Sequence, residues 1–206
     1  MKKEKPYHKY VFDLKNRRFV GKFERMYKNE DRENYDSWFQ EDLTHLGKQI
    51  SLLILNRYNF VSILDIGCGK GSFTHLLKKA NNKVTGIDIS STAIRKAKIK
   101  YRNVEFKRMS AEKALNSGKY DLIVMMEVLS YLRNWREILR KAAANTCYAY
   151  LSLFLPPHPI GFIKNFSELK EELNKYFEIE TELLWNNETI LILCKSKAYK
   201  TGTVNA

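Results

Sequence analysis

The chain has 206 residues, 44% hydrophobic and 29% charged, with 36 Lys and Arg against 23 Asp and Glu for a net charge of +13. One α/β domain of this length buries about 70% of its unfolded surface without disulfide staples, and three scattered cysteines with no C-x-x-C spacing read as reduced thiols. No apolar run reaches the ~18 residues of a membrane-spanning helix, and the four histidines show no metal-ligand spacing, so a helical membrane protein and a metal centre are not expected.

The start, Met1-Lys2-Lys3-Glu4-Lys5-Pro6, is basic with no apolar segment behind it. It does not read as a secretory signal, and a cytoplasmic protein is expected. Residues 1–28 hold ten Lys and Arg against Glu4, Asp13 and Glu24. Such an arm suits phosphates, whether of RNA, a nucleotide-linked substrate or a membrane surface. A composition rich in Lys, Asn and Ile produces the same charge with no partner at all. Residues 1–39 show no clear periodicity but are dense in aromatics. Tyr27, Trp38 and Phe39 are candidates for a lid over an apolar or planar ligand, or for a staple fixing the extension to the domain. Over 40–58, Leu43, Leu46, Ile50, Leu53 and Ile54 recur at spacings of three and four, which predicts an amphipathic helix.

A buried strand is expected over 61–66, running into Leu64-Asp65-Ile66-Gly67-Cys68-Gly69-Lys70-Gly71, with a helix over 72–80. Glycines at such a junction let a ligand approach the backbone, and the helix start offers unpaired N–H groups to it. A dinucleotide turn has the pattern G-x-G-x-x-G, whereas here Ser72 occupies the last glycine position. Asp65, two residues before the first glycine, repels a pyrophosphate and favours a positively charged amino-acid moiety. The spacing therefore favours S-adenosylmethionine, which carries an ammonium and a sulfonium and no phosphate. The next strand, 83–88, ends in Asp88, 21 positions after Gly67. A carboxylate there can accept both ribose hydroxyl protons of either cofactor.

Strands and helices then alternate, with strands near 103–108, 120–126 and 146–154 and helices near 91–101, 111–117, 133–144 and 167–176, which predicts a parallel sheet. The tail differs. Residues 177–185 and 189–194 are β-rich and flank Asn186-Asn187-Glu188, the pattern of an antiparallel hairpin.

Asp65-Ile66-Gly67-Cys68-Gly69-Lys70-Gly71 resembles the first motif of the class I S-adenosylmethionine-dependent methyltransferases, and Gly86-Ile87-Asp88-Ile89-Ser90 resembles their second. The run Tyr120 to Leu129 is similar to their fourth strand and the turn after it, and the resemblance covers roughly residues 40–196. It implies a Rossmann-like doubly wound α/β fold. The seven-stranded sheet would be mostly parallel with a C-terminal antiparallel β-hairpin, and helices would lie on both faces. It also implies that Gly67, Cys68 and Gly69 line the methionine end of S-adenosyl-L-methionine, whose product is S-adenosyl-L-homocysteine, with Asp65 and Met126 also expected among the cofactor-binding residues. Asp88 would bind the ribose and Ile89 pack on the adenine. Where the family often has an acid for the adenine amino group this chain has Ser110, followed by Ala111, whose backbone can serve. The organisation implied is a single methyltransferase domain over 1–206. Within it, 1–58 form a basic, aromatic extension and helix acting as lid, 59–196 the cofactor-binding core, and 197–206 a tail.

Candidate catalytic groups sit after the carboxyl ends of the strands: Glu127 and Tyr131 after 120–126, and His158 on the proline-stiffened loop Pro156-Pro157-His158-Pro159. Each has a bland alternative: Glu127 as a helix cap, Tyr131 in the core, His158 merely exposed. The Met26-Tyr27 pair, Trp38 and the Pro157–Gly161 loop resemble the nodulation protein S-like N-methyltransferases. The function implied is methyl transfer to the amine or hydroxyl of a small molecule, sugar-like or amino-acid-like. Methylation of RNA or protein through the basic arm is the alternative. A degenerate cofactor scaffold and a hydride-transferring oxidoreductase rank below both.

Overall fold

The computed structural model describes residues 5–198; residues 1–4 of the basic start and 199–206 of the expected tail lie outside the described residues. The N-terminal segment contains α1 (His8–Val11), a two-stranded antiparallel ribbon of β1 (Phe12–Asp13) and β2 (Arg18–Phe19), α2 (Phe23–Asn29) and a 3₁₀ turn at Ser37–Phe39. The helix expected over 40–58 is confined to α3 (Leu46–Leu55). Its start is delayed because Asp42 Oδ1 accepts from the Thr44 N–H and hydroxyl, a local turn that competes with helix.

The core sheet contains β3 (Ser62–Ile66), β4 (Lys83–Asp88), β5 (Glu105–Arg108), β6 (Tyr120–Met126), β7 (Thr146–Phe154), β8 (Phe177–Trp185) and β9 (Thr189–Ser196) in the order β5-β4-β3-β6-β7-β9-β8. Pairings from β5 through β7 are parallel, and β9 runs antiparallel to both β7 and β8. This is the mostly parallel sheet with a closing hairpin that the sequence implied. Strands covered on both faces read as continuous apolar runs, as Leu122 to Met125 do at 0% exposure. The edge strand β8 instead alternates, placing Glu178, Glu180 and Glu182 in solvent, which blocks pairing with another sheet.

Helices α4 (Ser91–Lys100), α5 (Ala111–Leu115), α6 (Trp135–Asn145) and α7 (Phe166–Tyr176) cover the sheet. Trp135, Ile138 and Leu139 of α6 and Leu169 and Leu173 of α7 fill one core, while Leu55, Phe73, Ile94 and Ala97 contribute to the other. A third cluster, with Tyr7, Tyr10, Val11, Met26 and Tyr27, packs the N-terminal segment onto Ala93 of α4.

One expected element is corrected. Residues 72–80 do not form an α-helix; only a 3₁₀ turn, Thr74–Leu77, is present. Asn82 ends it by accepting the Lys79 N–H on Oδ1 and donating Nδ2 to the Leu77 carbonyl. Thr74 meanwhile turns inward to donate to Asp65 Oδ2 at 2.6 Å. The anion-attracting helix start expected after the glycine turn is therefore not there, which removes one ground for placing a phosphate at this spot. Among the described residues, no helix is long and apolar enough to cross a membrane.

Candidate functional site

Strand order reverses at β3, whose neighbours are β4 and β6, and a crevice opens outside the carboxyl ends of such strands. A cavity of about 370 Å³ lies there. Its floor is the turn after β3. Gly67 and Gly69 adopt φ of 75° and 54°, a region that side chains disfavour. A Cβ on Gly67 would meet Val128 Cγ2 at 2.5 Å, and one on Gly69 would collide with the Gln40 amide. The Gly67 and Cys68 N–H groups donate to the Ile87 carbonyl, locking the turn to β4.

Two carboxylates face this space. Asp88 Oδ2 accepts the Gly69 N–H at 3.0 Å and Oδ1 the Ser90 N–H at 2.8 Å, leaving a lone pair on each oxygen for a pair of hydroxyls. Burial pushes its carboxyl up to about 6, against the backbone N–H groups of Ser90 and Gly69. Burial raises Asp65 to about 7, opposed by the Thr74 hydroxyl and reinforced by the Asp88 charge. Two buried acids that resist ionisation gain from a cationic ligand and repel a pyrophosphate. Burial, with Asp88 and Asp65 adding to it, also drives the Cys68 thiol well above its ordinary value. Cys68 is thus a small wall residue and not a thiolate nucleophile.

The N-terminal segment roofs the cavity with Tyr27, Trp38 and two residues that sequence reading missed, Gln40 and Lys48. Gln40 Nε2 donates to the Tyr27 hydroxyl and its Oε1 accepts the Lys70 N–H, so one amide joins the roof to the glycine turn. Lys48 Nζ donates to the carbonyls of Phe39, Gln40 and Asp42, fixing the strained turn in which Trp38 and Phe39 have φ of 59° and 52°. Lys70 itself turns away from the cavity and pairs with Glu30 at 2.9 Å and Asp36 at 2.8 Å, while Lys96 also holds Glu30. Glu24 adds a second tie, accepting from Ser90, Ser91 and Thr92 at the start of α4. Burial alone would raise its carboxyl, but the Thr92 and Ser90 donors outweigh it and hold it at about 2. Removing one partner of a buried ion pair strands the other. Lys70→Met is therefore expected to cost about 3 kcal/mol, read as a melting temperature lower by roughly 6–12 °C in a chain of this size; an unchanged melting curve would show the roof is not held this way.

At the end of β6, Glu127 has φ of 54°, a strained conformation for a non-glycine residue and a pointer to function. Its Oε1 accepts the Ser152 hydroxyl at 2.6 Å and its Oε2 the Phe154 N–H at 2.8 Å. It thus clamps the end of β7 and caps no helix. Burial raises its carboxyl, partly offset by those two donors. Tyr131 lines the cavity and stacks on Phe19, with ring centroids 5.6 Å apart and 7° between planes; burial pushes its phenol up, so it stays protonated.

Ile89, Ala111 and Met126 also line the cavity, with Ile89 54% exposed at its mouth. Four candidates lie off its wall. Gly69 acts from behind, through its N–H to Asp88. Ser110 caps α5, its hydroxyl oxygen accepting the Lys113 N–H. Phe39 is 44% exposed under the Lys5 ammonium. His158 is exposed on its loop, where its carbonyl accepts from Arg17. His158→Ala is expected to leave turnover within about twofold of wild type, since side chains outside a site rarely move the barrier by more; a hundredfold loss would return it to the catalytic set.

A family model described as a methyltransferase domain matches residues 13–183. Over 91 residues the chain is 31% identical to a ubiquinone biosynthesis O-methyltransferase of Bordetella avium (strain 197N), a stretch covering 40% of this chain and 36% of that protein. Over 103 residues it is 31% identical to a malonyl-(acyl-carrier protein) O-methyltransferase of Acetivibrio thermocellus, covering 48% of this chain and 36% of that one. The matches thus span little more than a third of these curated relatives. Among solved structures, the N-methyltransferase NodS from Bradyrhizobium japonicum WM9 in complex with S-adenosyl-L-homocysteine superposes with a TM-score of 0.65 at 18% identity, covering 83% of this chain and 98% of that one. The magnesium protoporphyrin IX methyltransferase (ChlM) from Synechocystis PCC 6803 with bound SAM gives 0.61 at 19% identity, covering 77% and 79%. At these identities the structural likeness establishes the fold.

Proposed function

Since the chain belongs to the methyltransferase domain family, within the class I S-adenosylmethionine-dependent superfamily, we propose that it methylates the amine or hydroxyl of a small molecule. The observation that carries this reading is Asp88, a buried carboxylate at the tip of β4 with both oxygens clamped and a lone pair to spare on each. The residues present suit S-adenosylmethionine: a side-chain-free turn at Gly67 and Gly69, two acids that resist ionisation, and apolar walls at Ile89, Met109 and Ala111. Asp88 would hold the ribose and Asp65 the ammonium. Lys48, the one cation among the described residues lining the cavity, spends its three donors on the carbonyls of Phe39, Gln40 and Asp42, so it would offer the methionine carboxylate its charge and no free N–H.

When bound, the cofactor supplies a methyl on a sulfonium, whose carbon–sulfur bond breaks as the bond to the acceptor nitrogen or oxygen forms, the electron pair staying on sulfur and a proton leaving the acceptor. The protein's share is alignment, exclusion of water and acceptance of that proton. The roof of Tyr27, Trp38 and Gln40 excludes water. Glu127 takes the proton, its burial-raised carboxyl making it a stronger base than an exposed glutamate. Tyr131, held protonated, positions the acceptor.

Calorimetry comparing S-adenosylhomocysteine with NAD tests the cofactor: tight binding of the first alone supports the reading, and binding of NAD alone overturns it. The acids also set a pH dependence. Both must be ionised to favour a cation, and a cation pulls their values down, so binding releases protons and strengthens as pH rises. Between pH 8 and pH 5, S-adenosylmethionine affinity is expected to fall by about tenfold or more as Asp65, near 7, and Asp88, near 6, take up protons. A flat profile would show that neither acid meets a charge.

Methylation of RNA or protein gains less support, because part of the basic arm is engaged within the chain. Lys9 pairs with Glu33, Arg18 with Asp13, and Arg17 with the His158 carbonyl.

A further inference from the structure

The cavity beyond the glycine turn and the two aspartates is walled by rings. Phe19, Phe23, Trp38 and Tyr131 line it, and the Tyr131 ring meets the other three at centroid distances of 5.6, 5.7 and 5.5 Å. Phe19 and Tyr131 lie nearly parallel and offset. Together they give this part of the cavity an aromatic wall. Polar side chains beside the wall are already engaged: both ends of the Gln40 amide, the Lys48 ammonium on three carbonyls, and both Glu127 oxygens. A carboxylate oxygen that accepts one hydrogen bond can accept another, so Glu127 keeps room for one acceptor proton, and Tyr131 has a hydroxyl to donate.

We infer that the acceptor is a flat aromatic molecule carrying the methylated hydroxyl or amine on or beside its ring, and not a sugar. This deepens the methyltransferase reading and rests on it. A sugar would bring several hydroxyls against the ring wall, and each one buried without a partner costs about 5- to 150-fold in affinity. An aromatic ring meets the wall with offset and edge-to-face contacts and needs a partner only for its reacting group, which Glu127 supplies. A small alkylammonium presents far less apolar area to such a wall than an aromatic ring does.

The test uses the full chain loaded with S-adenosylhomocysteine and titrates 2-naphthol, glucosamine and ethanolamine by calorimetry. Binding of 2-naphthol with neither of the others is expected. Phe19→Leu, which keeps an apolar side chain but removes a ring, is expected to weaken 2-naphthol about tenfold or more while S-adenosylhomocysteine affinity stays within about twofold. No binding of 2-naphthol, tighter binding of glucosamine or ethanolamine, or an unchanged 2-naphthol affinity in Phe19→Leu overturns the inference. Failure to bind S-adenosylhomocysteine at all would instead overturn the methyltransferase reading beneath it.

Discussion

Replacing Asp88 with alanine is expected to weaken S-adenosylmethionine binding by about 10- to 150-fold, the equivalent of ~1.5–3 kcal/mol for hydrogen bonds to a charged group. Asp88 sits at the last position of β4, where register with β3 brings it level with the glycine turn. It has no ion-pair partner among the described residues, and its two N–H donors come from the backbone of Gly69 and Ser90. The substitution therefore also frees the turn, so a melting curve without ligand should accompany the calorimetry to separate loss of fold from loss of contact. Asp88→Asn keeps one oxygen acceptor and should fall between wild type and alanine. Affinity within twofold of wild type for Asp88→Ala would mean the ribose lies elsewhere.

Glu127→Gln is expected to lower kcat by about 10²- to 10⁴-fold if the acceptor is a hydroxyl, the usual contribution of a positioned base. S-adenosylhomocysteine affinity should stay unchanged. Glutamine is isosteric, and its amide can still accept from the Phe154 N–H and donate to the Ser152 hydroxyl, so the end of β7 stays clamped. The rise of kcat/KM with pH that follows ionisation of Glu127 should vanish in the variant. A loss between about twofold and tenfold would point to an amine acceptor that enters unprotonated and sheds its proton to solvent. No loss would remove Glu127 from the chemistry and leave it a clamp.

Much of the geometry proposed to hold the cofactor could be read in the chain because local rules govern it. The Gly67-Cys68-Gly69 turn, an acid at or next to the end of each of two strands, and the 177–194 hairpin are sequence-adjacent features with fixed offsets. The seven-stranded sheet was what the methyltransferase resemblance implied, and βα alternation and that hairpin agreed with it. Residues 72–80 failed for an equally local reason: Asn82 closes the turn, and Thr74 is drawn inward by Asp65, 9 residues away. Ser110 stands directly before the helix expected from residue 111, so its N-cap role was open to reading from the sequence.

The roof was the least legible part. Gln40 meets Lys70 across 30 positions, and Lys70 meets Glu30 across 40; no spacing rule connects such residues. Lys48 sat on a helix with no sign that its ammonium would gather three carbonyls from the preceding turn. The aromatic density of the N-terminal segment marked it as a candidate cover, and Trp38 and Tyr27 line the cavity. Phe39, their neighbour in sequence, is not, because positive φ at both Trp38 and Phe39 turns successive side chains to different sides.

Methyl-labelled S-adenosylmethionine, incubated with the purified protein and a cell extract and then fractionated by size, tests the proposed activity most directly. Label in the small-metabolite fraction, dependent on protein and lost in Asp88→Ala, is the result expected. Label confined to RNA or protein, or no transfer under conditions where S-adenosylmethionine binds, would contradict methylation of a small molecule.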